Sequence, residues 1–264
     1  MLDDRDLVAA LEQSAWSIFS RFGRGEGASV IDTPTRLVLE TPVPQAPYNS
    51  VLRFYNERNR PLDMQVGELL DRFVGREVVM LWLVHPSAPE GLTDSLRAAG
   101  LICAEELFGM AVELTAAYTI SDPGPDVRIS EASPRDPTKW LEIVTERYGV
   151  GEQSISFLGD LYTKVAGDDT RVWVAEVDGA PASKVVLHVA DEVAGIYGVA
   201  TTEAGRNRGL ATALMASALN AAIEQGCRLS VLHSTPVARG LYRRLGYDDV
   251  ATFQVWGKPD QVHL

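Results

Sequence analysis

The sequence predicts a mixed α/β protein made of two pseudo-repeated halves, and three observations carry that expectation. Strand-like and helix-like runs alternate along residues 127–257, and a Pro/Gly linker, Ser121-Asp122-Pro123-Gly124-Pro125-Asp126, divides the chain. A strand–helix–glycine pattern also recurs on the two sides of that linker. Two prolines bracketing a glycine continue neither a helix nor a central strand. The boundary is therefore placed there, giving domains at 1–122 and 127–264.

In the second half, Trp140 to Tyr148 has helical spacing, with Trp140, Ile143, Val144 and Tyr148 along one side. Arg171–Val177, Ser183–Ala190 and Val193–Ala200 read as three strands, turned at Asp178-Gly179 and Asp191-Glu192. A polar loop, Glu203 to Gly209, opens a helix from Leu210 to Gln225 that ends at Gly226. Its inward stripe is Leu210, Leu214, Ala218, Ala221 and Ile223. Arg228–His233 is a strand, Pro236–Leu245 a short helix stopped by Gly246, and Ala251–Trp256 a last strand.

The first half echoes this order with a helix over Met64–Val74, a strand over Val78–Val84, a helix over Leu92–Ala99 capped by Gly100, and a closing strand over Met110–Leu114. Thr33-Pro34, Thr41 to Pro47 and Gly23 to Gly27 are loops. With Gly100 laid on Gly246, Leu83-Val84-His85-Pro86-Ser87 resembles Val231-Leu232-His233-Ser234-Thr235 across a two-residue gap, the mark of a two-fold repeat. Trp82, Trp173 and Trp256 lie on strand-like runs and are core.

Composition narrows the function. Of 264 residues 46% are hydrophobic and 23% charged, the profile of a soluble globular chain. No run of about 18 uncharged apolar residues occurs, so no membrane span is expected. The acidic start, Met1 to Asp6, is unlike a secretory signal, and Cys103 and Cys227 are far apart with no CxxC. A cytoplasmic protein without disulfides or structural metal fits these features. The net charge of -12 repels a nucleic-acid backbone and tilts toward a cationic partner such as an amine.

The chemistry concentrates in Gly198 to Thr212, where a strand enters a Gly/Arg-rich loop and the loop opens a helix. Free amides at a helix start, with the positive end of its dipole, receive phosphate. Gly209 and the small Ala211 let an anion approach, and Arg206 and Arg208 add mobile positive charge. No Gly-Lys-Ser/Thr tripeptide marks a P-loop, no GxGxxG occurs here, and no GxSxG elbow marks a serine hydrolase.

These residues resemble the GNAT N-acetyltransferase superfamily. Its acyl-CoA signature, Arg/Gln-x-x-Gly-x-Gly/Ala, is matched by Arg206-Asn207-Arg208-Gly209-Leu210-Ala211. Its Leu-Tyr-x-x-x-Gly-Phe/Tyr segment is matched by Leu241-Tyr242-Arg243-Arg244-Leu245-Gly246-Tyr247. The resemblance covers residues 127–257 and extends more loosely to tandem proteins with two GNAT-like halves. It implies a GNAT-like acyl-CoA N-acyltransferase fold with acetyl-CoA as cosubstrate. Arg206, Asn207, Arg208, Gly209, Leu210, Ala211 and Thr212 would hold the pyrophosphate. Val199, Ala200 and Thr201 would run beside the pantetheine arm, and Tyr242 would protonate the departing thiolate. The first half lacks the signature before its helix and has Leu96 in the place of Tyr242, so the resemblance implies a degenerate half that covers the sheet and shapes the pocket.

Ser234 is a second catalytic candidate, whose hydroxyl either meets the CoA arm, positions Tyr242, or simply belongs to the turn before the next helix. The strand Val193–Ala200 carries no acid in its middle, where many relatives place a glutamate. Tyr197 and His188 are alternatives as base or water-positioning groups, or are satisfied sheet residues, while Glu152 and Asp160 are candidates for meeting a substrate cation. The expected activity is transfer of an acetyl group to a primary amine by direct attack in a ternary complex. The missing carboxylate motivates the alternative, a non-catalytic acyl-CoA-binding module. Acyl length depends on pocket depth.

Overall fold

Asp3 accepts a hydrogen bond from the Asp6 amide at 2.9 Å and so caps a helix that sequence reading passed over, α1 (Asp4–Ser20). It belongs to a computed structural model that describes residues 3–133, 137–165 and 169–262. A 3-10 turn (Arg21–Arg24) follows, then β1 (Ser29–Thr33), β2 (Arg36–Glu40), β3 (Ser50–Phe54), α2 (Leu62–Asp71), β4 (Leu81–Val84), α3 (Leu92–Ala98) and β5 (Ile102–Glu113). The second half comprises β6 (Val127–Ala132), α4 (Thr138–Tyr148), α5 (Glu152–Val165), β7 (Thr170–Val177), β8 (Ala180–Ala190) and β9 (Val193–Thr201). It ends with α6 (Leu210–Glu224), β10 (Leu229–Ser234), α7 (Arg239–Arg244) and β11 (Asp248–Gly257).

The strands join in one mixed sheet of order β1-β2-β3-β4-β11-β5-β10-β9-β8-β7-β6. The two halves repeat: β3–α2–β4–α3–β5 has the same order as β9–α6–β10–α7–β11, and β3/β4 and β9/β10 are its parallel pairs. The helix ends match in detail. Gly100 and Gly246 take φ of 85° and 91°, the left-handed conformation that suits glycine. The amides of Leu101 and Tyr247 bond back to the carbonyls of Leu96 and Tyr242 at 3.0 and 3.1 Å. Leu96 therefore occupies the place of Tyr242 in space as well as in sequence.

The halves also exchange strands. β5 of the first half lies between β10 and β11, and β11 of the second lies between β4 and β5, all antiparallel. The linker at residues 121–126 connects β5 to β6, yet neither half keeps its own last strand beside its own preceding one.

Side chains sort onto two faces. α6 is buried over most of its circumference, wider than the expected stripe, and its small residues Ala213, Ala216, Ala218 and Ala222 let it lie close to the sheet. Ile223, expected inward, is only partly buried. α1 crosses the opposite face, where Leu11 packs on Ala111, Val231 and Phe253 of the three central strands. α7 begins at Arg239 instead of Pro236, because the Ala238 amide first closes a turn onto the Thr235 carbonyl at 3.2 Å. The tryptophans Trp82, Trp173 and Trp256 are buried. Among the described residues no helix is long and apolar enough to cross a membrane.

The exchange predicts that residues 127–264 expressed alone show no cooperative melt as a monomer, because β10 and β11 lose the strand that joins them. Adding residues 1–122 in trans restores the melt, read by circular dichroism and size-exclusion chromatography.

Candidate active site

β9 and β10 are parallel only from Val193↔Leu229 to Ile196↔Leu232. Beyond that register β9 continues to Thr201 without a ladder on this side, while β10 continues against β5. A bulge marks the point of divergence. Lys184 of β8 faces Ala200 and Val186 faces Tyr197, so Gly198 and Val199 together face one residue, Val185. Gly198 has φ of 53°, and a Cβ there would lie 2.7 Å from the Lys184 Nζ, so both backbone and space require glycine. Val199, Ala200 and Thr201 thus lie on a strand edge with no ladder on the β10 side, and the Ser183 hydroxyl donates to the Ala200 carbonyl at 2.9 Å.

The loop after β9 supplies the second component. Asn207 and Gly209 both take positive φ, 60° and 73°. Among the described residues the amides of Asn207, Arg208, Gly209, Leu210, Ala211 and Thr212 find no acceptor; the first amide of this stretch to bond inward is that of Ala213, to the Gly209 carbonyl at 3.0 Å. Six neighbouring N–H groups at the start of a fifteen-residue helix are a concave anion receptor. Nothing lies within 4 Å of a Cβ built on Gly209, so its need for glycine is conformational. Arg206 is exposed, whereas the Arg208 guanidinium pairs with Asp126 of the linker at 2.6 Å and lowers the pKa of that carboxyl.

A cavity of about 390 Å³ opens where the strands part. Its lining includes Ile196, Tyr197, Gly198 and Val199 from β9, His233 from β10, and Tyr242 from α7. The first half contributes Ala15 and Phe19 of α1 and Leu83 and Leu107 of β4 and β5. A smaller cavity of about 190 Å³ adjoins it through shared walls at Phe19, Tyr148, Tyr197 and Gly198. No carboxylate lines either one among the described residues.

Tyr242 is buried, and burial drives its phenol well above its ordinary pKa, so it keeps its proton at any physiological pH. Ser234 is buried and donates to the Thr235 carbonyl at 2.8 Å; its neighbours His233 and Thr235 line the cavity. Tyr197 shares a 2.7 Å hydrogen bond with Ser14 of α1, and His188 meets Ser17 at 2.9 Å and Thr170 at 2.8 Å. Both are partnered sheet residues. Asp160 is bound to Lys164 and to the Glu26 amide, and the side chain of Glu152 lies outside the described residues.

Sequence reading missed two groups. His233 has a buried Nε2 with no partner among the described residues, and burial pushes its pKa down to about 4. Lys184 is only 1% exposed and lies within a strand buried on both faces. A lone lysine inside Ser183-Lys184-Val185-Val186-Leu187 was the available signal.

The corresponding region of the first half is closed. β3 and β4 pair only at Ser50↔Leu81 and Val51↔Trp82. Past them, the Trp16 indole of α1 donates to the Leu52 carbonyl at 3.0 Å, and the Phe54 amide reaches the His85 Nε2 at 3.5 Å. Glu12 holds His85 Nδ1 and the Ser87 amide, each at 3.0 Å; burial works to raise the Glu12 carboxyl, but these bonds carry it below its usual range. The loop before α2 is likewise satisfied internally, by the Gln65 side chain on the Glu57 amide and Asn56.

Residues 138–247, spanning the bulge, the amide loop and Tyr242, match the model of the Acetyltransferase (GNAT) family. The family match thus falls wholly within the second half. Solved structures extend the likeness in fold over the whole chain. A GCN5-related N-acetyltransferase from Kribbella flavida is 20% identical with a TM-score of 0.66, covering 93% of this chain and 95% of that one. A tandem GNAT protein from the clavulanic acid biosynthesis pathway is 13% identical with a TM-score of 0.61, covering 96% and 95%. A GCN5-related N-acetyltransferase from Sphaerobacter thermophilus is 17% identical with a TM-score of 0.61, covering 88% and 75%. No curated protein matches the sequence. The GNAT fold of the second half and its pairing with a GNAT-like first half agree with the sequence expectation.

Two predictions follow from the site's geometry. Gly209→Val distorts the amide loop, since a β-branched residue at positive φ costs about 1–2 kcal/mol, and weakens pyrophosphate binding, read by calorimetry, about tenfold. His188 and His233 both titrate near 4 in the fold against about 6.5 unfolded. The unfolded chain therefore takes up protons first, and stability present above pH 6.5 is lost as pH falls toward 4, by about 2–3 kcal/mol per residue. His188→Asn removes its share, so the fall in melting temperature over this window is about halved.

Proposed function

We propose that the chain transfers an acetyl group from acetyl-CoA to a primary amine, with the catalytic machinery in residues 127–264 and a degenerate first half, residues 1–122, as a wall of the acceptor cavity. The observation that carries this reading is the run of unpartnered amides from Asn207 to Thr212 beside an open strand edge at Val199–Thr201. An anion receptor followed by an extended backbone edge suits a coenzyme with a pyrophosphate at one end and an amide-bearing arm at the other. Arg206 adds an exposed cation at the rim.

In this reading the arm lies along the diverging β9 and the thioester reaches the cavity at the bulge. Free backbone N–H groups there polarise the carbonyl oxygen. The amine attacks that carbonyl directly, forming the amide C–N bond as the C–S bond breaks. Tyr242 donates its proton to the departing sulfur. Neutral His233 accepts a hydrogen bond from the attacking amine and orients its lone pair, and the amine's proton leaves to water. The apolar walls supplied by Phe19, Leu83 and Leu107 keep bulk water from competing. The acidic surface favours collection of cationic amines from solution.

The test is thiol release from acetyl-CoA across a panel of amines. Turnover with at least one amine, reduced about 100-fold or more in kcat by Tyr242→Phe with CoA affinity retained, is the expected result. CoA binding without turnover on any amine would leave a binding module in place of an enzyme.

A further inference from the structure

The smaller cavity has a composition that the transfer reaction alone does not explain. Aromatic rings dominate its walls: Phe19 and Phe22 from the first half, Tyr48, and Tyr148, Tyr162 and Tyr197 from the second. Several are locked by one another. Phe22 stacks on Tyr48 with ring centroids 6.1 Å apart, and Phe22 and Tyr162 meet edge to face at 5.9 Å. Such rings give a rigid apolar slot with little rotamer freedom left to lose on binding.

One charged group lines this slot. The Lys184 ammonium has three N–H donors, of which one reaches the Gly198 carbonyl at 2.8 Å. Its other neighbour is the Trp140 ring, 5.6 Å from Nζ. No carboxylate forms an ion pair with it among the described residues. Burial lowers its pKa to about 8, which still leaves it mainly charged at neutral pH. A buried cation with spare donors and no counter-ion is an expensive arrangement that an anionic ligand group relieves. Lys184 lines only the smaller cavity, but it holds the carbonyl of Gly198, the bulge residue that lines both.

We infer that the smaller cavity is the acceptor subsite, and that Lys184 selects an amine bearing a carboxylate on an aryl or other apolar body, as in an aromatic amino acid. This rests on the acetyl-transfer reading for the direction of the amine, and it narrows that reading. The acceptor is zwitterionic: its ammonium suits the acidic exterior, its apolar body fills the aromatic slot, and its carboxylate takes the unused Lys184 donors. Net charge alone suggested only a cation.

Binding and turnover are measured separately. Titration calorimetry on the CoA-loaded chain compares 3-phenylpropanoate with the neutral 3-phenylpropanol, and kcat/KM compares phenylalanine with phenethylamine. The expected result is a preference of about tenfold or more for the carboxylate member of the binding pair, abolished by Lys184→Met. Equal or reversed affinities in the unaltered chain overturn the inference, as does a preference that survives Lys184→Met. Should that variant fail to fold, Val186→Phe, which shrinks the same cavity, weakens 3-phenylpropanoate by about tenfold, and unchanged affinity places the anion elsewhere and overturns the inference. A carboxylate preference without acetylation of any amine sustains the subsite and sinks the transfer reading instead.

Discussion

Because β5 lies between β10 and β11, and β11 between β4 and β5, each half of this chain obtains the backbone partners of its last strand from the other half. A strand in the middle of a sheet has no solvent with which to satisfy its N–H and C=O groups, so this reciprocal pairing is compulsory once the halves meet. It fixes the spacing between the two β–loop–α segments and brings α1 of the first half onto the face where the second half has its cavities. The cavities are therefore composite: β9, β10 and α7 supply the bulge, His233 and Tyr242, and α1, β4 and β5 supply apolar walls.

The same backbone constraint separates an open cleft from a closed one. In both halves a parallel pair diverges after a few residues and leaves main-chain groups unpaired. In the first half those groups are taken up by side chains of the fold itself, Trp16 on Leu52 and His85 on Phe54, and the loop amide of Glu57 is taken by Gln65. In the second, the loop amides stay free, and past the divergence side chains take two β9 carbonyls, that of Gly198 by Lys184 and that of Ala200 by Ser183. Two copies of one topology thus differ in which of them retains unspent hydrogen-bonding capacity, and that capacity is what a ligand can use.

Much of this was legible in the sequence of the second half. Its strands and helices have clear turn punctuation, and the Arg206–Ala211 signature sits where a strand passes into a helix, so periodicity and motif reinforced each other. The repeat was legible through Gly100 and Gly246, because a left-handed helix end leaves a glycine behind. The first half was harder to read. β2 is buried on both faces and shows no alternation, and β1 and β3 are short strands of five residues. α1 had a readable cap at Asp3 and apolar positions at Leu7, Leu11, Ala15 and Ile18. The strand exchange has no local signature at all, since any antiparallel neighbour would satisfy the same residues. Lys184 and His233 were visible as polar residues in apolar strands, but that aromatic rings and no hydrogen-bonding side chains meet them among the described residues is a property of the assembled fold.

Helix α1 touches both clefts. Trp16 enters the closed one, while Ala15 and Phe19 stand in the wall of the open one and Ser14 holds Tyr197. Rotation of this helix by one residue, about 100°, would withdraw the indole from its carbonyl and swing the phenylalanine out of the cavity wall. The indole thus acts as a set-screw on a shared axle: the closed groove determines the shape of the open one.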